Sequence, residues 1–491
     1  GFVEGSPNNS VVFNGTFFNS TDFPTFGYNG GFEIVSDNDR KDHDLLPRER
    51  SMERDNPVGL AQGALGDDAR GIMFEITVST DSSQVAIAPG YLQKEWLEGD
   101  RRYFNYKMDV PMENFYNIIS ARYEVMRDKT IIPLDSGERE ISLEIYYHEG
   151  HEYNLERMMK SMKKSFAYFS EVFSPYQYRQ MRILEFPRYA SFAQSFANTV
   201  PFSEGIGFML EIKEEDDVDV AFYVTAHELG HQWWAHQVMP ANVKGGTMII
   251  ETLAQYSALM VMKHEYEMIH MKEFLKEEMN RYLTGRALEQ KKELPLALVE
   301  NQQYIHYGKG AVNMFALQDY ISEDSVNAAL KRFIRDWKDF ETNNRYSTTN
   351  DLLGYFKEVT PDSLQYVISD LFEQIVLFEN KVDLASYEEQ SNDKWLVELE
   401  VSSKKIVADT LGAENNVGVN DWIDIGVYGT DDEGEEKLLY LKKHKIDQEK
   451  MTVKVEVDEK PTKAGIDPIN KLIDRNPDDN TKVLSEKEGA I

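Results

Sequence analysis

Apolar positions change their period twice along the chain. Up to about residue 150 they fall in short β-branched and aromatic stretches bounded by turn residues, clearest over 72–78 and 103–110. The charged segment from Ser36 to Asp68 has little periodicity and reads as a long loop. From Tyr153 the spacing becomes helical: Leu155, Met158, Met159, Met162, Phe166, Phe169 and Phe173 recur on one face until Pro175 ends the run. Methionines and phenylalanines in that pattern predict core packing rather than a binding surface. A strand follows over 181–186, then two helical segments over about 218–238 and 248–268. Pro240, Gly245 and Gly246 between them suit a reversal of direction. Further helices are predicted over 307–321, 325–338 and 362–378. After Asn380 the chain returns to alternation, with strands over 395–401, 422–428, 438–441 and 451–457, and the Asn476–Ile491 tail reads as frayed. The pattern predicts a multidomain α+β protein. A β-rich domain covers residues 1–150, a mostly helical domain 151–380 and a C-terminal β-sandwich 381–491.

Size fits that division, since 491 residues suggest about three domains. With 41% apolar residues the chain can bury large cores and is not a mainly disordered protein. A net charge of −32 argues against nucleic acid or an anionic membrane as the main partner. There are no cysteines, which excludes disulfides, thiolate metal sites and cysteine nucleophiles, so any metal must sit on His, Asp or Glu. No apolar run reaches the roughly 18 residues of a membrane span. Because the sequence starts at Gly1 without Met or a signal pattern, it is expected to be a soluble portion of a longer protein.

The chemistry is concentrated in His227-Glu228-Leu229-Gly230-His231. Two histidines four apart on a helix project from one face, a turn from each other. Such a pair can hold one zinc ion, and Glu228 beside the first ligand can serve as a base towards water. A catalytic zinc takes three protein ligands and leaves one position open, so the following helix should bring an oxygen or nitrogen donor. Glu251, after the Gly-Gly reversal, fills that need. With ten histidines in 491 residues, a chance His-Glu-x-x-His is about a one-in-a-hundred event. Other histidines are expected to be ordinary. His148-Glu-Gly-His151 has the wrong spacing, at a strand-to-helix junction, and His264 and His270 lie on a charged segment. Both pairs read as surface residues, and His236 as a packing or supporting one.

His227-Glu-Leu-Gly-His-Gln-Trp-Trp234 resembles the signature of the aminopeptidase N family of zinc metallopeptidases, which also includes leukotriene hydrolase. Glu251-Thr-Leu-Ala-Gln-Tyr256 is similar to its third-ligand helix, although 19 residues separate His231 from Glu251 where the family usually has 18. Tyr307-Gly-Lys-Gly-Ala311 resembles the block whose tyrosine stabilises the oxyanion, with Tyr304 as the local competitor. Pro201-Phe-Ser-Glu-Gly-Ile-Gly207 stands where family exopeptidases carry the glutamate that grips the substrate amine; it retains only Glu204. The resemblance implies a saddle-like N-terminal β-domain, a thermolysin-like catalytic domain and a β-sandwich after it. It also implies one zinc ion and a peptide substrate. The wording of the zinc and C-terminal segments is similar to peptidase parts of bacterial multi-pass membrane proteins, implying an anchored, extracytoplasmic setting. The expected activity is aminopeptidase action, with His227, His231 and Glu251 on zinc, Glu228 as general base, Tyr307 on the oxyanion and Glu204 on the amine. The alternatives are a zinc endopeptidase or other zinc hydrolase, and a peptide-binding sensor domain of weak catalysis.

Overall fold

The helical spacing from Leu155 is realised as an 18-residue helix, Leu155–Val172, that buries Met158, Met159, Met162, Phe166 and Phe169 completely or nearly so. It crosses between two parallel strands, Gly137–Tyr147 and Gln180–Phe186, which need a connection of this kind. The strand Thr199–Ser203 adds to the other side of Gln180–Phe186, also parallel, and Glu124–Leu134 completes the four-stranded sheet in antiparallel sense. This sheet joins strands from both sides of residue 150. The computed structural model describes residues 11–12, 15–24, 33–48, 50–66, 71–134, 136–213, 218–431 and 433–487. They fall into two compact units, one made of the chain up to Glu265 together with Glu323–Val359, the other of Tyr266–Ser322 together with the chain from Thr360 onwards.

The first unit also contains two smaller sheets. One is built on Asn117–Ala121 and the other on the antiparallel trio Glu75–Asp81, Arg101–Lys107 and Tyr91–Glu98. The strand expected over 72–78 starts later, because Ile72 makes only a single bridge to Met112. The expected loop from Ser36 carries two short helices, Asp37–Asp42 and Pro57–Ala61. Local capping makes them: the Ser36 hydroxyl accepts from the Asp39 amide, and Asn56 accepts from Val58 and Gly59 ahead of Pro57. Asp67 and Asp68, at the end of that stretch, lie outside the described residues.

Three predicted helices are shorter than expected. The one over 218–238 runs only from Val220 to Gly230, where the Gly230 carbonyl takes both the Trp233 and Trp234 amides at 3.0 Å. The one over 248–268 ends at Lys263, two residues before the chain passes from the first unit into the second after Glu265. The one over 362–378 ends at Glu373, and Ile375 already opens a strand. The second unit also holds a 21-residue helix, Met268–Leu288, that is not among the predicted ones. Met271, Phe274, Leu275, Met279 and Tyr282 give it a regular buried stripe, hidden in the sequence among eight charged or amide side chains.

The C-terminal strands form two sheets around one core. Val397, Leu399 and Val401 from the first sheet pack with Ile423, Ile425 and Val427 from the second. The helix Gly310–Ile321 is tied to this layer by Asp319, which pairs with Lys443 and, at 2.6 Å, with the buried Lys471. The tail is not frayed over its described part. Thr481–Val483 pairs with Lys463–Gly465, and Ser485–Glu486 pairs with Ser386–Tyr387, while residues 488–491 lie outside the described ones.

Trp233 is wedged between Phe166 and Phe169, with ring centroids 6.3 and 5.3 Å away. Phe169→Ala should therefore lower the unfolding free energy of the first unit by about 3–5 kcal/mol. Urea unfolding followed by tryptophan fluorescence checks this, and a loss below about 1 kcal/mol would contradict the packing described.

Candidate active site

Asp219 starts the helix that carries the first two site histidines. Its carboxylate accepts from the Phe222 amide at 2.9 Å and is held by Arg157 at 2.7 Å. His227 and Glu228 lie in the last turn, and His231 caps it with φ −62° and ψ −20°. Those angles continue the helical course for one more residue, so both imidazoles still share a face although the helix has ended. Their Nε2 atoms are 3.1 Å apart. The other nitrogen of His231 faces the Trp234 carbonyl at 3.2 Å, which fixes the ring.

Glu251 comes from a π-helical turn, Met248–Thr252, that runs into the helix Leu253–Lys263. Such a turn accommodates one residue more than an α-turn. The extra residue between His231 and Glu251 is therefore taken up inside the helix entrance, not in the preceding loop. The Glu251 Oε2 atom lies 3.6 Å from His227 Nε2 and 3.5 Å from His231 Nε2. The two helices can approach this closely because position 230 is glycine: a Cβ there would stand 3.2 Å from the Ala254 Cα. Behind the site, the Trp234 indole donates to the Ser257 hydroxyl at 2.8 Å, tying the turn after His231 to the helix after Glu251.

Three donors bound to one tetrahedral ion at 2.0–2.2 Å would be separated by about 3.3–3.6 Å. The observed edges of 3.1, 3.5 and 3.6 Å match that triangle, and 3.5 Å is too long for a hydrogen bond. His227, His231 and Glu251 form a group able to hold a metal ion. The Oε2 atoms of Glu251 and Glu228 are buried without a hydrogen-bond partner among the described residues. An N₂O donor set without sulfur suits zinc.

Electrostatics follow from burial and from the trio itself. Burial pushes the Glu228 carboxyl up to about 7, within reach of proton exchange near neutral pH. Burial lowers His227, whereas at His231 the Glu251 carboxylate overrides burial and raises the imidazole to about 9. Glu251 is held well below the usual carboxylate range, because the two imidazoles outweigh its own desolvation. Without a metal, then, the trio stores one proton, on His231.

The remaining predicted residues divide. Glu204, just past the edge strand Thr199–Ser203, is not part of this trio. It is gathered with His148, His151 and Glu185, whose ligand atoms all lie within 4.8 Å of one another. His148 and His151 are thus not ordinary surface histidines: they are partly buried and both face the fully buried Glu185 carboxylate. The sequence held a signal in a His-x-x-His spacing directly after a strand, though its glutamate partners are distant in the chain. His264 does behave as a surface residue, pairing with Glu323 at 2.8 Å with its side chain 55% exposed. His236 is a packing residue against the Ser195 carbonyl, and burial lowers it to about 4. Tyr307 belongs to the second unit, where it is half-buried on the π-helical turn Tyr304–Lys309. Its competitor Tyr304 is engaged in packing, stacked on Tyr282 and donating to Glu289 at 3.1 Å.

Residues 154–372 match the peptidase family M1 domain, and that segment contains His227, His231 and Glu251 as well as Glu228, Glu204 and Tyr307. By that match the segment is similar to peptidase family M1, the aminopeptidase N type of zinc metallopeptidase, whose members use one zinc ion. Comparison with curated protein sequences gives no match. Among solved structures, the chain is similar to Legionella pneumophila aminopeptidase A in complex with aspartic acid. The identity is 15%, the TM-score 0.53, and the match covers 91% of this chain and 50% of that one. It is also similar to an M1 zinc metallopeptidase from Deinococcus radiodurans, at 15% identity and TM-score 0.47, over 62% of this chain and 65% of that one. The chain thus spans from half to just under two-thirds of the length of these proteins. Likeness at this level concerns the fold.

A metal bound by the trio must expel the His231 proton, since only a neutral imidazole ligates. Zinc binding to the metal-free protein at pH 7 should release close to one proton from His231, because its pKa of about 9 lies above that pH. Affinity should accordingly climb with pH until about 9. Titration calorimetry in buffers of different ionisation enthalpy measures the release, and none at pH 7 would refute the charge distribution.

Proposed function

We propose that this chain is a zinc-dependent aminopeptidase that hydrolyses the N-terminal residue from peptides. The observation that carries the reading is the triangle of His227, His231 and Glu251 beside the buried carboxyl of Glu228, inside a family M1 segment. In this reading the triangle holds one zinc ion, which when bound supplies Lewis acidity towards the scissile carbonyl and acidifies water. Glu228 takes the proton of the attacking water and passes it to the leaving amine, a role that its raised pKa of about 7 suits. Tyr307 donates its phenol hydrogen to the carbonyl oxygen as charge builds there. Glu204 faces the free ammonium, so that only the first peptide bond is presented for attack. The three-part layout of saddle, thermolysin-like catalytic domain and sandwich belongs to the same proposal.

A zinc endopeptidase, or another zinc hydrolase, is the second reading. It is favoured by the company Glu204 keeps: its Oε1 accepts the Arg188 amide at 2.8 Å, and its carboxylate belongs to the His148, His151 and Glu185 group. Against a mere peptide sensor stands Glu228, because a binding module gains nothing from a general base beside a metal. Among the described residues no helix is long and apolar enough to cross a membrane. The extracytoplasmic, membrane-anchored setting remains a proposal about the longer chain. Fractionation of the full-length protein tests it, and recovery in the cytosol would count against it.

Glu228→Gln should lower kcat by about 10²–10⁴-fold while zinc content stays at wild-type level. Full activity in that variant would remove Glu228 from the mechanism. Tyr307→Phe should lower kcat by about 10²–10³-fold. Peptides with free and N-acetylated termini separate the two enzyme readings. An aminopeptidase cleaves only the free form, and equal cleavage of both would favour the endopeptidase.

A further inference from the structure

Three neighbouring parallel strands end side by side in the first unit, and each delivers a donor near its C-terminal end. His148 and His151 follow Gly137–Tyr147, Glu185 is the penultimate residue of Gln180–Phe186, and Glu204 follows Thr199–Ser203. Glu185 is the centre of the group. Its side chain has no exposed surface, and its Oε2 accepts the His148 amide at 2.6 Å. Its Oε1 faces Nδ1 of His148 at 3.1 Å and Nδ1 of His151 more closely still. The His148 ring is walled by Tyr123, whose ring stacks 5.4 Å away and whose hydroxyl donates to the Glu185 carbonyl at 2.6 Å.

Two carboxylates thus share a largely enclosed space. Among the described residues no lysine or arginine side chain forms an ion pair with Glu185 or Glu204. Glu185 faces two imidazoles, which carry positive charge only when protonated, and a cation among the four groups would offset the cost of holding a buried carboxylate beside a second one. The four donor atoms lie within 4.8 Å of one another; Glu185 Oε1 stands 3.1 Å from His148 Nδ1 and hydrogen-bonds directly to His151 Nδ1, a contact that a shared tetrahedral ion would open to roughly 3.3–3.6 Å. Two imidazoles and two carboxylates without sulfur form a donor set for a borderline divalent cation, and zinc is the one that favours four such ligands.

We propose that His148, His151, Glu185 and Glu204 hold a second zinc ion, distinct from the one at His227, His231 and Glu251. With four protein donors the site is closed, so the ion ties three strand ends together and activates no water. It also competes with the amine contact for Glu204, and the metal count decides between these two uses of that carboxylate.

The test is zinc per chain after dialysis against buffered Zn²⁺, read by elemental mass spectrometry on the wild type and on His151→Ala, His148→Gln and His227→Ala. Two ions in the wild type, falling to one in each variant, are expected. Anomalous diffraction at the zinc edge from wild-type crystals needs no variant to fold and should give a peak among His148, His151 and Glu185. An ion lost in His151→Ala but kept in His227→Ala would uphold this site while removing the active-site assignment. A single ion lost in His227→Ala and kept in His151→Ala, with no anomalous peak at the strand ends, would overturn the proposal.

Discussion

The first unit is organised around holding two imidazoles and a carboxylate 3.1–3.6 Å apart, out of water. Left to themselves, such groups would separate or seek solvent, because burial is unfavourable to each charge taken singly. Several features oppose that tendency together. Asp219 fixes where the first helix starts, Gly230 lets the second helix approach, and Trp234 bonds across to Ser257. Trp233 anchors the same turn to the Phe166 and Phe169 face. The apolar packing is thus what maintains a polar triangle ready for a cation.

Some of this was legible in the sequence because the information was local. His227, Glu228 and His231 lie within five residues, and their helix was visible from its apolar neighbours. The Leu155–Val172 helix and the long C-terminal strands were legible for the same reason, since a regular period needs no knowledge of distant partners. Helix ends were less legible. The stop at Gly230 depends on carbonyl sharing in the next turn, and the stop of the third segment at Glu373 depends on a strand that starts at Ile375. What the sequence concealed most was convergence: His148 and Glu185 are adjacent only because a crossover helix returns the chain beside its own strand.

That crossover also explains why donors accumulate where they do. Parallel strands all end at the same edge, so residues just past their ends are brought together whatever their separation in the chain. His148, Glu185 and Glu204 come together in this way. The metal triangle uses another device, two helices packed at a glycine. One unit thus concentrates polar donors by two independent topological routes, and the second leaves the fuller short sequence signature.

The π-helical turn at Met248–Thr252 has a consequence for how such proteins are found. An insertion there leaves the carboxylate aimed at the imidazoles while lengthening the gap between the two halves of the motif. What the architecture holds fixed is an angular position on a helix, not a residue count. A search with a rigid interval after the second histidine would pass over Glu251 and stop on Ile250, which cannot ligate a metal. Related chains are better sought with a gap that tolerates one added residue, and an unusual interval in them marks a widened helical turn rather than a lost ligand.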